Sequence, residues 1–254
     1  MAIGIAMLEL RALTKKFRSF TAVDGLDLSV PDGSFHGIFG PNGAGKTTTL
    51  RMLCGLLRPD GGDILWNGTS IRRDVTAWKR LIGVMPEDLG LFERLTFAEN
   101  AAVCGRMYGL TPREAETRRD GLFEFLDLAE CSGIQAIEGS QGMRKRLALS
   151  LALIHAPRVL LLDEPISGMD VVSARGVKDL FALLAERKVT VVITSHITDV
   201  LEDVVTRAAV IRRGKVVAEA AIDDIRRSHG TIEAFYLGAI GASRKEVPRF
   251  PWLG

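Results

Sequence analysis

The segment Gly40-Pro41-Asn42-Gly43-Ala44-Gly45-Lys46-Thr47 constrains this chain more than any other feature. It fits the pattern G-x-x-x-x-G-K-[ST], and its flanks fit too. Ser34 to Phe39 reads as a short buried strand, and the residues from Thr47 to Leu53 carry no helix breaker. Strand, glycine-rich turn and helix in that order make a cradle for phosphates. Glycines let successive backbone N–H groups curl around oxygen atoms, and the helix start adds positive potential. Lys46 then supplies a mobile cation for the outer phosphates, and the Thr47 hydroxyl supplies a hard oxygen for Mg²⁺. Thr48 continues the same turn.

Composition limits what else the chain can be. Of 254 residues, 47% are hydrophobic and 25% charged, with a net charge of +2. Such a chain can bury a large core, and its near-neutral balance gives no electrostatic basis for nucleic-acid binding. No apolar run reaches the length needed to span a bilayer. The opening MAIGIAMLEL lacks the basic flank of an export signal, so a cytoplasmic location is expected. Three cysteines at positions 54, 104 and 131 have neither metal-knuckle spacing nor the even number of a disulfide framework.

The pattern divides the chain in three. The first third alternates short strands and turns: Leu26, Leu28 and Val30 share one face before Pro31-Asp32-Gly33, and Asp63 to Trp66 lies between glycine turns. The middle, residues 88–155, reads as a helical lobe, with Phe97 to Tyr108, a helix opened by Thr111-Pro112-Arg113-Glu114, and Met143 to His155. The last third returns to apolar runs without alternation, Val159 to Leu162 and Val189 to Thr194, separated by a helix from Val172 to Glu186. Such runs suit parallel strands covered on both faces. A hairpin turns at Arg213-Gly214, and a basic segment follows Ala239 and is expected to be loosely ordered.

The strand Val159 to Leu162 ends in Asp163-Glu164. Two adjacent carboxylates at the end of a buried strand are costly unless a cation or a reaction uses them. A Mg²⁺ near Asp163 would meet that need, leaving Glu164 to take a proton from an attacking water.

With these residues in hand, the chain resembles the nucleotide-binding subunit of ATP-binding cassette (ABC) transporters over residues 8–238, with the basic tail at 239–254. The resemblance implies a P-loop α/β fold with a mixed central sheet, an N-terminal antiparallel layer and an inserted helical subdomain. It implies further sites. Glu87 stands where the family has its Q-loop glutamine and would face Mg²⁺ or water. Gly139 to Met143 corresponds to the signature segment, in which Ser140, Gln141 and Gly142 would meet the nucleotide of a second copy. Asp170 looks like the D-loop aspartate, His196 like the switch histidine at the γ-phosphate, and Phe17 like the aromatic that stacks on adenine. ATP and Mg²⁺ are the implied ligands, with Thr47, Asp163 and Glu87 on the metal. The implied partners are an integral membrane permease and a second copy of the chain, and Arg94 to Leu110 resembles the export branch. Departures are Glu87 for Gln, Gln141 for the first signature glycine, Met143 for its final Gln, and Val171 for Pro. The other readings are a soluble cassette ATPase of an assembly system and a regulatory nucleotide switch with negligible turnover, the latter kept open by Glu87 and Gln141. His36, His155 and His229 are expected to be structural, and Arg144, Lys145 and Arg146 to be solvated charges, with partner contacts as the second reading.

Overall fold

The computed structural model describes residues 6–195 and 201–241. Two sheets pack through one layer of helix. The first is antiparallel throughout, in the order β2 (Phe20–Pro31), β1 (Ala6–Phe17), β4 (Gly61–Trp66), β5 (Thr69–Ser70). The second has the order β10 (Lys215–Ala221), β9 (Arg207–Arg212), β3 (Phe35–Phe39), β8 (Thr190–Ser195), β7 (Val159–Asp163), β6 (Ile82–Met85). Its strands are parallel except for β10 at the edge. This is the expected mixed sheet with an antiparallel layer.

The apolar runs explain the layering. Along β7, Val159 and Leu161 enter one core and Leu160 and Leu162 the other. A strand buried on both faces has no reason to alternate in polarity. The first core lies between the two sheets and includes Leu8, Leu10, Leu26 and Leu28 from the antiparallel layer. Leu50 and Leu53 of α1 (Lys46–Leu53) join them against Ile38 and Val192. The opposite core centres on Phe35, Phe39, Phe97, Phe123 and Phe181, all essentially without solvent contact. Each such phenylalanine contributes about 2–3 kcal/mol of hydrophobic transfer energy.

Three helices fill the stretch between β6 and β7: α3 (Phe97–Met107), α4 (Pro112–Phe125) and α5 (Gln141–Leu153), after the short α2 (Val75–Leu81) that precedes β6. Thr96 and Thr111 open α3 and α4 as full capping boxes with Glu99 and Glu114. After β7 comes α6 (Val171–Glu186), and after β10 come α7 (Ile222–Ser228) and α8 (Ile232–Ala239). Sequence pattern located α3, α4 and α6 closely. It began α5 two residues late and did not reveal α2, α7 or α8, each of eight residues or fewer. Short helices leave too few turns to show a 3.6-residue period. Among the described residues no helix is long and apolar enough to cross a membrane. Most of the basic segment after Ala239, from residue 242 onward, lies outside the described residues.

His36 sits mid-strand on β3, fully buried, with neither ring nitrogen hydrogen-bonded among the described residues. Its Nε2 is 4.0 Å from a Glu219 carboxylate oxygen, but burial, with Arg207 nearby, lowers its pKa to about 3 and keeps it neutral. Because the unfolded side chain titrates near 6.5, the unfolded state takes up the proton first and stability falls as pH drops from about 6.5 toward 3. At pH 5 this group alone is expected to remove on the order of 2 kcal/mol. Urea titrations of the protein and of His36→Leu between pH 7 and 5 check this, since the variant should lose that much less.

Candidate nucleotide site

The parallel sheet aligns the carboxyl ends of β3, β8 and β7 on one edge, where open α/β sheets bind ligands. The register is Ile38↔Thr194 and Asp163↔Thr194, so β8 separates the turn after Phe39 from the turn after Asp163. Two strand spacings of about 4.8 Å therefore divide the glycine-rich loop from the carboxylate pair.

The loop is built by close backbone approach. A Cβ on Gly45 would lie 2.5 Å from the Ala22 carbonyl oxygen, and its φ is 109°, a region open in practice to glycine. Gly45 is the N-cap of α1, no side chain caps that end, and the first turn carries no acid. The leading N–H groups and about half a unit of positive charge are thus presented to an anion. Lys46 starts the helix yet is buried. Its Nζ donates to the Gly40 carbonyl at 2.7 Å and lies 3.8 Å from Glu164 Oε1, an ion pair beyond hydrogen-bond reach.

A cleft of about 280 Å³ opens here, lined by Pro41, Asn42, Gly43, Ala44, Gly45, Lys46, Thr47 and Thr48 together with Glu87, Glu164, Phe20 and Ala22. Residues separated by more than a hundred positions thus meet around one space. Gly40 contributes its carbonyl to Lys46 at the base of the loop. Asp163 is buried behind the cleft and accepts a short hydrogen bond from the Thr194 hydroxyl. Glu164 has φ +50°, a left-handed conformation costing a non-glycine residue about 1–3 kcal/mol. Its N–H donates to the Thr194 carbonyl at 3.2 Å, and its carbonyl accepts from Lys145 Nζ at 2.7 Å.

Other expected residues lie elsewhere. Phe17 does not line the cleft; it faces Phe20 across the β1–β2 hairpin, and Lys15 Nζ lies 5.6 Å from its ring centre. Ser140, Gln141 and Gly142 do not line it either. The Ser140 hydroxyl caps α5 by accepting from the Met143 N–H at 3.2 Å, while the residue itself stays exposed. The Gln141 carboxamide lies over Gly168, where a Cβ would come within 3.1 Å of it. Gly142 faces Asp170 and Ser173. Asp170 caps α6, accepting from the Ser173 N–H at 2.9 Å and its hydroxyl at 2.7 Å, and these bonds hold its carboxyl below the usual range. His196 lies outside the described residues.

The basic triplet corrects the sequence reading. Lys145 is buried, bonded to the carbonyls of Glu164 and Ser167. Arg144 pairs with Glu93 at 2.8 Å, and Arg146 donates to the Leu126 carbonyl at 2.7 Å. Helical spacing carries the missed signal, because Lys145 falls on the face of Gly142, Ala148, Leu149 and Ala152, all buried. Phe20 and Thr194 were also missed, one exposed on a hairpin and the other inside an apolar run, with nothing in sequence to mark either.

A family model described as ABC transporter matches residues 23–167, more than half of the chain. The chain belongs to the ABC transporter family. A second model, for an AAA domain described as a putative AbiEii toxin of a type IV TA system, matches only residues 133–202. The chain is 38% identical over 216 residues to the daunorubicin resistance ATP-binding protein DrrA3 of Streptomyces coeruleorubidus, covering 85% of this chain and 68% of the relative. It is 36% identical to the Nod factor export ATP-binding protein I of Paraburkholderia xenovorans, covering 85% and 71%. A structure described as the ATP-binding subunit of an ABC transporter superposes with a TM-score of 0.84 at 25% identity, covering 92% of this chain and 99% of the other. A dimeric bacterial ABC transporter cassette gives 0.80 at 23% identity, covering 85% and 99%. The protein is therefore an ABC ATPase, the ATP-binding subunit of a transport system.

Gly45→Ala tests the loop. It must strain both φ and the approach to Ala22, so it should cost more than about 1 kcal/mol in chemical denaturation and weaken ATP binding together. Unchanged stability with unchanged affinity would contradict the geometry.

Proposed function

We propose that this chain hydrolyses ATP at the Lys46–Glu164 cleft to energise export through a separate integral membrane permease. The observation that carries the reading is the convergence of Lys46, Thr47, Glu87 and Glu164 on one small cleft at the carboxyl edge of a parallel sheet. The working unit is residues 8–238, with residues 88–155 as its helical subdomain and the basic segment 239–254 beyond it.

Triphosphate oxygens are bound by the amides of Gly43 to Thr48 and by the Lys46 ammonium, which offsets charge as the terminal phosphate departs. Glu164 accepts a proton from the attacking water, and the family resemblance gives His196, outside the described residues, the role of the switch histidine. The donor set proposed for the metal fits Mg²⁺, because the Thr47 hydroxyl and the Asp163 and Glu87 carboxylates are all hard oxygens. When bound, Mg²⁺ would neutralise β- and γ-phosphate oxygens. Phe17 and Phe20, paired across one turn, offer aromatic faces for the adenine.

Ser140, Gln141 and Gly142 stay outside the cleft of their own chain, which supports their use in trans. Two copies packed head-to-tail put the Ser140 hydroxyl and the α5 N-terminus of one against the γ-phosphate held by the other, with Asp170 at the shared seam. Closure and reopening of that pair is the mechanical output. A groove of about 370 Å³ between Pro86–Phe92 and the helices α3 and α5 is suited to the permease, being rimmed by the exposed Leu56, Phe92 and Met107. The similarity to a daunorubicin resistance ATP-binding protein and to a Nod factor export ATP-binding protein supports export as the direction. The protein then works at the cytoplasmic face of the membrane.

Glu164→Gln removes the proton acceptor and keeps the shape. Phosphate release should fall at least about 100-fold while ATP affinity stays near the parent value. Hydrolysis at the parent rate would refute the base. Affinity purification from membranes should recover an integral membrane protein with the chain; recovery in soluble assemblies alone would favour a non-transport ATPase.

A further inference from the structure

Lys145 is a cation without an evident surface role. It is 7% exposed, and burial lowers its pKa while the Glu164 and Glu87 carboxylates act the other way. Burying an ammonium is expensive, and a purely structural position would be served more cheaply by an apolar side chain. Here the ammonium has two backbone partners, the carbonyls of Glu164 (2.7 Å) and Ser167. Both belong to the turn that follows β7, where Glu164 is held at φ +50°. From the other side, the Glu164 N–H is fixed on Thr194 of β8.

The same helix touches this turn twice more. The Gln141 carboxamide covers Gly168, and Gly142 abuts Asp170 and Ser173. The N-terminus of α5 and residues 164–170 are therefore joined by several contacts.

We propose that Lys145 is a positioning residue for hydrolysis: its ammonium fixes the left-handed Glu164 peptide so that the carboxylate faces the phosphate cleft, and ties that carboxylate to the helix whose first turn carries Ser140. The inference rests on Glu164 as the base and on Ser140 acting on a partner's nucleotide. Its consequence is communication. Engagement of Ser140 by the nucleotide of one site is passed through α5 and Lys145 to the Glu164 of the other site, making turnover cooperative in ATP.

The test is steady-state phosphate release against ATP concentration for the purified protein, with its permease where the two co-purify. The variants are Lys145→Met, Lys145→Arg, Glu164→Gln and Lys145→Met/Glu164→Gln, each with an unfolding midpoint. Lys145→Met should lower kcat about 10- to 100-fold, as expected for a misplaced reacting group, with KM changed less than about twofold and a lower Hill coefficient. Lys145→Arg, still a cation with donors, should recover most of the loss. In the Glu164→Gln background Lys145→Met should have little further effect, because it acts through that carboxylate. An undiminished kcat in Lys145→Met overturns the proposal, as does an equal further loss in the double variant. If Lys145→Met does not fold, Lys145→Gln is measured instead, and parent kcat there overturns the proposal. If Glu164→Gln alone hydrolyses normally, the base assignment fails, an outcome distinct from these.

Discussion

Lys46 is the pivot of the molecule. A buried ammonium needs oxygen around it, and the chain supplies that from two places far apart in sequence: the Gly40 carbonyl at 2.7 Å and the Glu164 carboxylate at 3.8 Å. At an effective dielectric near 20 the second contact is worth about 4 kcal/mol before desolvation, which is comparable to what each charge loses by leaving water. That one contact does not offset the desolvation of two charges, and the bond to the Gly40 carbonyl meets part of the remainder. The rest of the architecture serves to hold those two groups this close. The all-parallel core of the sheet puts the loop and the carboxylate on one edge, and the β1–β2 hairpin presses its Ala22 carbonyl against Gly45.

The carboxylate side is built with equal economy. Asp163 is buried and tied to Thr194, while the next residue turns sharply and exposes its side chain to the cleft. One acid is buried against Thr194 and its neighbour lines the cleft, so adjacent residues acquire different surroundings from a single change of φ. That turn is stabilised by β8 on one side and α5 on the other, and α5 is also the helix that opens at Ser140. The phosphate cleft and the N-terminus of α5 are therefore parts of one framework.

The phosphate loop was legible in sequence because its chemistry requires particular residues at fixed spacing. Gly45 cannot be replaced without meeting Ala22, and Lys46 cannot be shortened and still reach. The doubly buried strands were legible for a similar reason, since β7 and β8 have no polar face to interrupt them. Lys145 was misread because a basic triplet looks solvated when charge is weighed before periodicity. Phe20 and Thr194 were invisible, since an exposed aromatic and a buried threonine acquire meaning only from what the fold brings beside them. The apposition of Gln141 to Gly168 is likewise tertiary, joining two loops that sequence treats as separate motifs.

Sharing of one nucleotide between two copies is tested most directly by sedimentation velocity of the Glu164→Gln chain with ATP and Mg²⁺. The expected result is a species of twice the monomer mass carrying two nucleotides, which returns to monomer when ADP replaces ATP. A monomer that binds ATP fully and never pairs, with the permease present or absent, would contradict it.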